Sequence, residues 1–268
     1  MNDALFRVMI KQNGKKIAKL SSGIILYEGL LTWVYPVISK NPAVSQIAGS
    51  LPSAVKTVFG VSEEARVDTF EAFITAQFFA RIWAMLLALY NVETANELLA
   101  AMANDGSLAL LLSTPVSRDE FLTTQALVLF SGNALLIFFT LLGLFVGTKR
   151  FGINLDLWRY CIFSIQGFAF YSLIGAYSLL FSALFTEGDT AFTMAASLTL
   201  AFYALDVAGG LSDQLSWVRK LSLFRCYQPQ EVLEGSKNPA KETIGLIAGT
   251  LILLRLGIYA FNKKDLAI

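Results

Sequence analysis

The chain has 268 residues, of which 55% are hydrophobic and 15% are charged, and it contains no histidine. A soluble globular domain has about 45–50% apolar and about 25% charged residues, so this composition indicates an integral membrane protein. The missing histidine excludes Ser-His-Asp and Cys-His catalysis and histidine-ligated zinc or haem, while two cysteines are too few for a Cys₄ metal site. A net charge of +1 gives no general attraction to nucleic acid. We therefore predict no catalytic residue, metal site or cofactor on this chain.

Six stretches are long and apolar enough to cross a bilayer, which requires roughly 20 apolar residues in a helix. Apolar residues surround each stretch, and a chain of this length cannot supply a soluble shell around six such helices. The first stretch is interrupted by Glu28 and lacks a small-residue cleavage site, so we interpret it as a retained helix. The sequence predicts one all-α integral membrane domain over residues 1–268, with spans near Ile17–Ile38, Phe70–Asn91, Phe121–Gly147, Trp158–Phe185, Thr190–Gly210 and Thr243–Phe261.

The distribution of Lys and Arg bears on the orientation of these spans. Residues 1–19 carry five basic side chains against the single acid Asp3, whereas bases and acids balance in the loop Pro36–Asp68. This comparison predicts cytoplasmic termini and a multi-pass protein of the cytoplasmic membrane. The basic residues of the later loops favour the opposite orientation, so the prediction rests on the N-terminal tail.

The N-terminal tail shows an amphipathic pattern. Leu5, Val8 and Met9 recur at helical spacing, and Arg7 and Lys11 lie on another face. We predict an interfacial helix lying at the membrane surface, with a frayed polar tail as the alternative.

The segment between the second and third spans contains strong helix breaks. Asp105-Gly106-Ser107 combines a helix stop with a cap, and Pro115 ends the short helix that follows. This short helix has one apolar face, formed by Leu108, Leu111 and Leu112. A rigid helix on a loop can dock into a groove of a partner, or it can be a re-entrant connector packed on its own bundle. The pattern alone leaves both open.

Two further segments lie on the predicted outer side. The loop Pro36–Asp68 contains short apolar runs between Pro and Gly residues and is predicted to be folded but small. The segment Leu211–Ala240 places apolar residues on one helical face, and its Trp217 and Tyr227 suit the membrane interface. We predict two short amphipathic helices there, before the sixth span.

Three different sequence patches, which lie in order along nearly the whole chain, carry a family resemblance. They are Ala4-Leu5-Phe6-Arg7 followed by Tyr35-Pro36, the central run from Asp105 to Arg118, and Leu221–Tyr227 with Phe261–Leu266. Together they resemble the permease subunits of type-2 ABC exporters. The central run is similar to that family's signature Glu-x-Gly-Thr-Leu-x-x-Leu-Leu-Ser-x-Pro-Val-x-Arg. It departs from the signature at Asn104-Asp105, where members often carry Glu-Glu.

The resemblance implies that the central run is a coupling helix seated in a groove of an ABC ATP-binding subunit. It also implies membrane-embedded permeases paired on two ATP-binding subunits, and we favour a second copy of this chain over a sister chain. Since no G-x-x-x-x-G-K-[ST] loop occurs here, ATP and Mg²⁺ would bind the partner. Arg118 could bond an acid of the partner or reach lipid headgroups. The predicted partner-binding residues are Glu97, Asp105, Gly106, Leu108, Leu111, Leu112, Ser113, Pro115 and Arg118.

Four ionisable residues lie within the predicted spans, where such groups usually face a bundle interior or a cavity. Glu28 and Arg81 fall at similar depth, so we predict an ion pair that either fixes helix packing or handles substrate. Arg255 is close enough to the inner surface to extend towards it. Asp206 is expected to bond the adjacent amphipathic segment. The two cysteines, Cys161 and Cys226, are predicted to be free thiols.

The leading hypothesis for function is an exporter permease for a hydrophobic or amphipathic substrate: a drug, an antimicrobial or toxic peptide, or a lipid-like molecule. An ion-coupled secondary transporter, with Glu28 and Asp206 as carrier acids, is one alternative. Such carriers often contain repeated halves, and we find no repeat. A membrane assembly factor without transport activity is the other alternative.

Overall fold

The computed structural model describes residues 3–39, 69–112, 116–211 and 213–264, which are overwhelmingly helical. The helices are α1 (Asp3–Ser39), α2 (Phe70–Ile74), a π-helical segment (Thr75–Trp83), α3 (Ala84–Leu98), α4 (Ala100–Asn104), α5 (Ser107–Leu112), α6 (Arg118–Phe151), α7 (Leu157–Leu184), α8 (Gly188–Leu211), α9 (Ser216–Arg219), α10 (Pro229–Leu233) and α11 (Ala240–Lys263).

Six stretches of the described residues are long and apolar enough to span a membrane: Asp3–Val37, Phe70–Asn104, Arg118–Phe151, Leu157–Leu184, Gly188–Leu211 and Ala240–Lys263. The predicted all-α membrane class and its six spans are thereby confirmed. The prediction of a small folded unit in the loop after the first span concerns residues 40–68, which lie outside the described part of the chain.

The N-terminal tail and the first span form one helix. α1 has 37 residues and is about 55 Å long at 1.5 Å per residue. The prediction of a separate interfacial helix over the tail is therefore wrong. The reason is a buried stripe at every fourth position, which packs the tail along the bundle through Leu5, Met9, Asn13, Ile17 and Ser21.

The capping residues define the limits of the long helices. The Ser117 side chain accepts a hydrogen bond from the Glu120 backbone N–H and begins α6. α6 ends at Gly152, whose φ of 68° is the left-handed conformation that favours glycine. These two caps define the length of α6.

Small residues of α6 allow its neighbours to approach closely. Gly143 faces the side chain of Glu28 and the backbone of α1, and Gly147 faces Thr32 of the same helix. Gly132 lies against the ring of Tyr90 in α3. Close approach at small residues is a main source of helix association in membranes, because lipid tails supply no hydrophobic driving force between helices. α6 is therefore the helix against which α1 is held.

A buried aromatic cluster lies where the π-helical segment, α7 and the chain before α11 meet. Trp83 is at its centre, and its members are Phe79, Trp83, Phe163, Phe170, Tyr171 and Tyr227. The Tyr227 hydroxyl donates a hydrogen bond of 2.9 Å to the Phe79 carbonyl. The prediction that Tyr227 lies at the membrane interface is therefore wrong, since its polar end finds an acceptor inside the protein. Trp217, by contrast, is largely exposed.

Candidate functional site

The connecting segment, residues 99–117, joins α3 to α6 through two breaks. Leu99 leaves the helical conformation, and Gly106 has a φ of 79°. The Asp105 Oδ1 atom accepts a hydrogen bond of 2.9 Å from the Ser107 backbone N–H, where α5 begins. Hydrogen bonds from the side chain and backbone of Ser107 hold the pKa of Asp105 below its usual value. The stop, cap and short helix predicted from Asp105-Gly106-Ser107 are confirmed.

The apolar face of α5 packs on its own bundle. Leu108 is 2% exposed and belongs to the hydrophobic core, and Leu111 is half-buried against that core. The expectation that Leu108 supplies contacts to a partner is therefore wrong, because its side chain is covered by this chain. The turn 104–106 is exposed. The remaining predicted contact residues lie outside the described part of the chain: the side chain of Leu112, and Ser113 and Pro115.

Glu97, another predicted partner contact, forms an ion pair inside the chain. Lys16 of α1 lies 2.9 Å from a carboxylate oxygen of Glu93 and 3.0 Å from one of Glu97. Both carboxylates are about half exposed, so the pairs contribute at most about 1 kcal/mol to stability. Their effect is to tie the N-terminal part of α1 to the end of α3, directly before the connecting segment.

Arg118 joins the start of α6 to the end of α11. Its Nη1 atom donates to the carbonyls of Phe261, Asn262 and Lys264, the last at 2.7 Å. Lys264 in turn donates to the Phe185 carbonyl after α7, and burial lowers the pKa of this lysine. Cations at helix C-termini complement the helix dipole. This use of Arg118 is neither of the two roles expected from sequence, and no local pattern links residues so far apart in the chain.

The predicted Glu28–Arg81 ion pair is wrong. Glu28 is fully buried, and neither of its carboxylate oxygens has a hydrogen-bond partner among the described residues. Its Oε2 atom points at Gly143 and would lie 2.5 Å from a Cβ atom there. Arg81 lies in the π-helical segment, whose i to i+5 hydrogen bonding changes the direction of its side chains relative to an α-helix. Similar depth in the membrane therefore does not bring the Glu28 and Arg81 side chains together.

The other intramembrane charges lie nearer the ends of their spans. The Arg219 Nε atom donates to the Asp206 Oδ1 atom at 2.9 Å, which confirms the predicted bond between Asp206 and the amphipathic segment. Arg255 is exposed on α11 among apolar side chains, and its extension to the membrane surface stays a prediction. Cys161 and Cys226 are both free thiols, as predicted.

These features define a polytopic α-helical membrane protein in which a structured segment connects the second and third spans. The chain belongs to the ABC-2 family transporter proteins, whose family model matches residues 29–266. It is thus the permease, or membrane component, of an ABC transporter, a class that pairs with a separate ABC ATP-binding subunit. No curated protein matches the chain.

Proposed function

We propose that the chain forms one permease domain of an ATP-driven exporter and that the connecting segment is the docking surface for the ATP-binding subunit. The observation that carries this proposal is the combination of the buried anchor Leu108 with the exposed turn 104–106. A segment held to the bundle on one side and open on the other can pass a displacement of a partner to the spans as a rigid element.

The end of the bundle that carries the connecting segment faces the cytoplasm in this proposal. Arg118 contacts the carbonyls at the end of α11, so the connecting segment and the C-terminal end of the last span lie at the same end. ATP and Mg²⁺ bind the partner, whose nucleotide is cytoplasmic. Two ATP-binding subunits and a second copy of this chain complete the transporter, which lies in the cytoplasmic membrane.

The substrate class that fits best is hydrophobic or amphipathic: a drug, an antimicrobial or toxic peptide, or a lipid-like molecule. The support is the apolar and aromatic interior of the described spans. A secondary transporter with Glu28 and Asp206 as carrier acids fits less well, because the Asp206 carboxylate already forms an ion pair with Arg219.

Assembly with the ATP-binding subunit tests the docking role. For Leu111→Asp and for Asn104→Arg, we expect affinity for that subunit, or ATP hydrolysis by the complex, to fall by about tenfold or more, the equivalent of about 1.4 kcal/mol. Leu111→Asp disturbs the packing that anchors α5 on its own bundle, whereas Asn104→Arg alters only an exposed position. Co-purification followed by ATPase assay measures both effects.

The matched control is Leu211→Asp, which adds the same charge at an exposed leucine at the end of α8. It is expected to leave assembly unchanged. Normal assembly of Asn104→Arg, together with proton-dependent transport that needs no ATP, would contradict the proposal and favour the secondary carrier.

A further inference from the structure

A cavity of about 430 Å³ opens between α1 and α3, on the side of the Lys16 ion pairs. It lies where the charged N-terminal part of α1 meets the apolar stretch that starts at Ile17. Its lining is mixed in charge and includes Asn13, Lys15, Lys16, Lys19, Glu93 and Glu97.

The Asn13 side chain brings to this cavity a hydrogen-bond donor that has no acceptor among the described residues. Asn13 is 7% exposed, it lines the cavity, and its Nδ2 atom has no partner among the described residues. A buried amide donor without an acceptor is destabilising, because it has lost its hydrogen bonds to water. The nearby carboxylates of Glu93 and Glu97 are already bonded to Lys16. An acceptor group entering the cavity would satisfy the Asn13 amide.

The exposed face of α1 is basic beside the cavity and apolar beyond it. Four exposed cations are spaced four residues apart: Arg7, Lys11, Lys15 and Lys19. The same helical face continues with exposed apolar side chains at spacings of three, four or seven residues: Leu26, Leu30, Trp33 and Val37. A ligand that follows this face therefore needs an anionic head and an apolar body about 17 Å long, the length of Leu26–Val37 at 1.5 Å per residue.

We propose that this cavity binds the headgroup of an anionic phospholipid. A phosphate oxygen accepts the Asn13 amide hydrogen, and Lys15 and Lys19 neutralise the phosphate charge. The acyl chains lie along the apolar continuation of α1. A free phosphate ion would use the same donors, but it has no apolar part to follow the apolar continuation of α1. This site is independent of the docking role, because it involves neither α5 nor the turn 104–106.

Lipid retention by the full-length, detergent-purified chain tests the site. Native mass spectrometry compares phosphatidylglycerol with phosphatidylcholine for the wild type, for Lys15→Gln/Lys19→Gln and for Asn13→Leu. We expect the wild type to retain phosphatidylglycerol in preference to phosphatidylcholine. The double variant is expected to retain about tenfold less phosphatidylglycerol than the wild type. Asn13→Leu keeps a buried side chain of similar size and is expected to weaken retention while preserving the fold.

Two results would overturn the proposal. Lys149→Gln/Arg150→Gln removes two exposed cations from the C-terminal end of α6, outside the cavity. An equal loss of phosphatidylglycerol retention in this variant would show general charge attraction. Displacement of the lipid by millimolar inorganic phosphate would show a site for a free anion.

Discussion

Gly132→Ala is expected to lower the free energy of unfolding by about 1–3 kcal/mol, the usual cost of overpacking. A Cβ atom at this position would overlap the Tyr90 hydroxyl oxygen and lie 2.9 Å from Tyr90 Cζ. Tyr90 is 1% exposed, and its rigid ring cannot bend away. Since the side chain of Ile17 also lies 3.4 Å from the new atom, α1, α3 and α6 would have to separate.

Unfolding in a graded series of SDS mole fractions measures this effect. The matched control is Gly23→Ala in α1, where a Cβ atom meets nothing within 4 Å. Alanine is the better helix former, so the control is expected to be neutral or more stable by up to about 1 kcal/mol. Equal destabilisation by both substitutions would show that the close approach at Gly132 is not what holds α3 to α6.

Trp83→Ala is expected to cost about 3–5 kcal/mol, the range for removing a large buried aromatic side chain. Trp83 is 1% exposed and contacts the rings of Phe79, Phe163 and Tyr171. Its indole Nε1–H also donates to the Thr140 hydroxyl at 3.0 Å. Removing it leaves a cavity at the junction of the π-helical segment, α6 and α7.

The same SDS unfolding measurement separates packing from the hydrogen bond. Trp83→Phe is expected to lose less than Trp83→Ala, and Thr140→Val, which leaves the buried indole N–H without its acceptor, about 1–3 kcal/mol. Trp158→Ala serves as the control, because Trp158 is largely exposed at the start of α7. A cost at Trp158 as large as that at Trp83 would contradict the central role of the aromatic cluster.

Local chemistry was enough to predict that the chain has six spans and that a helix break precedes α5. Each span is a predominantly apolar run of roughly 20 residues or more, and a run of that length crosses a bilayer as a helix. The turn at Asp105-Gly106-Ser107 was also predictable, because a glycine with positive φ and a neighbouring acid cap act within three residues. The bond from Asp206 to the following segment could be predicted because Arg219 is close in sequence.

Features that depend on packing between distant segments were not predictable in this way. Asn13 and Ser21 are polar, yet they belong to the buried stripe that keeps α1 one helix. The partners of Arg118 follow it by more than 140 residues. Leu108 has the same apolar pattern whether it faces a partner or its own core, and only the fold shows that it faces the core. The direction of Glu28 depends on Gly143, whose role appears only when two helices meet.

Photo-crosslinking from the exposed turn tests the docking proposal most directly. A photoreactive benzophenone amino acid replaces Asn104 in the assembled transporter, and a second sample carries it at the exposed Trp217, far along the chain from the connecting segment. We predict a covalent adduct with the ATP-binding subunit from position 104 and none from position 217. An adduct from position 217 with none from position 104 would contradict the assignment of the connecting segment as the docking surface.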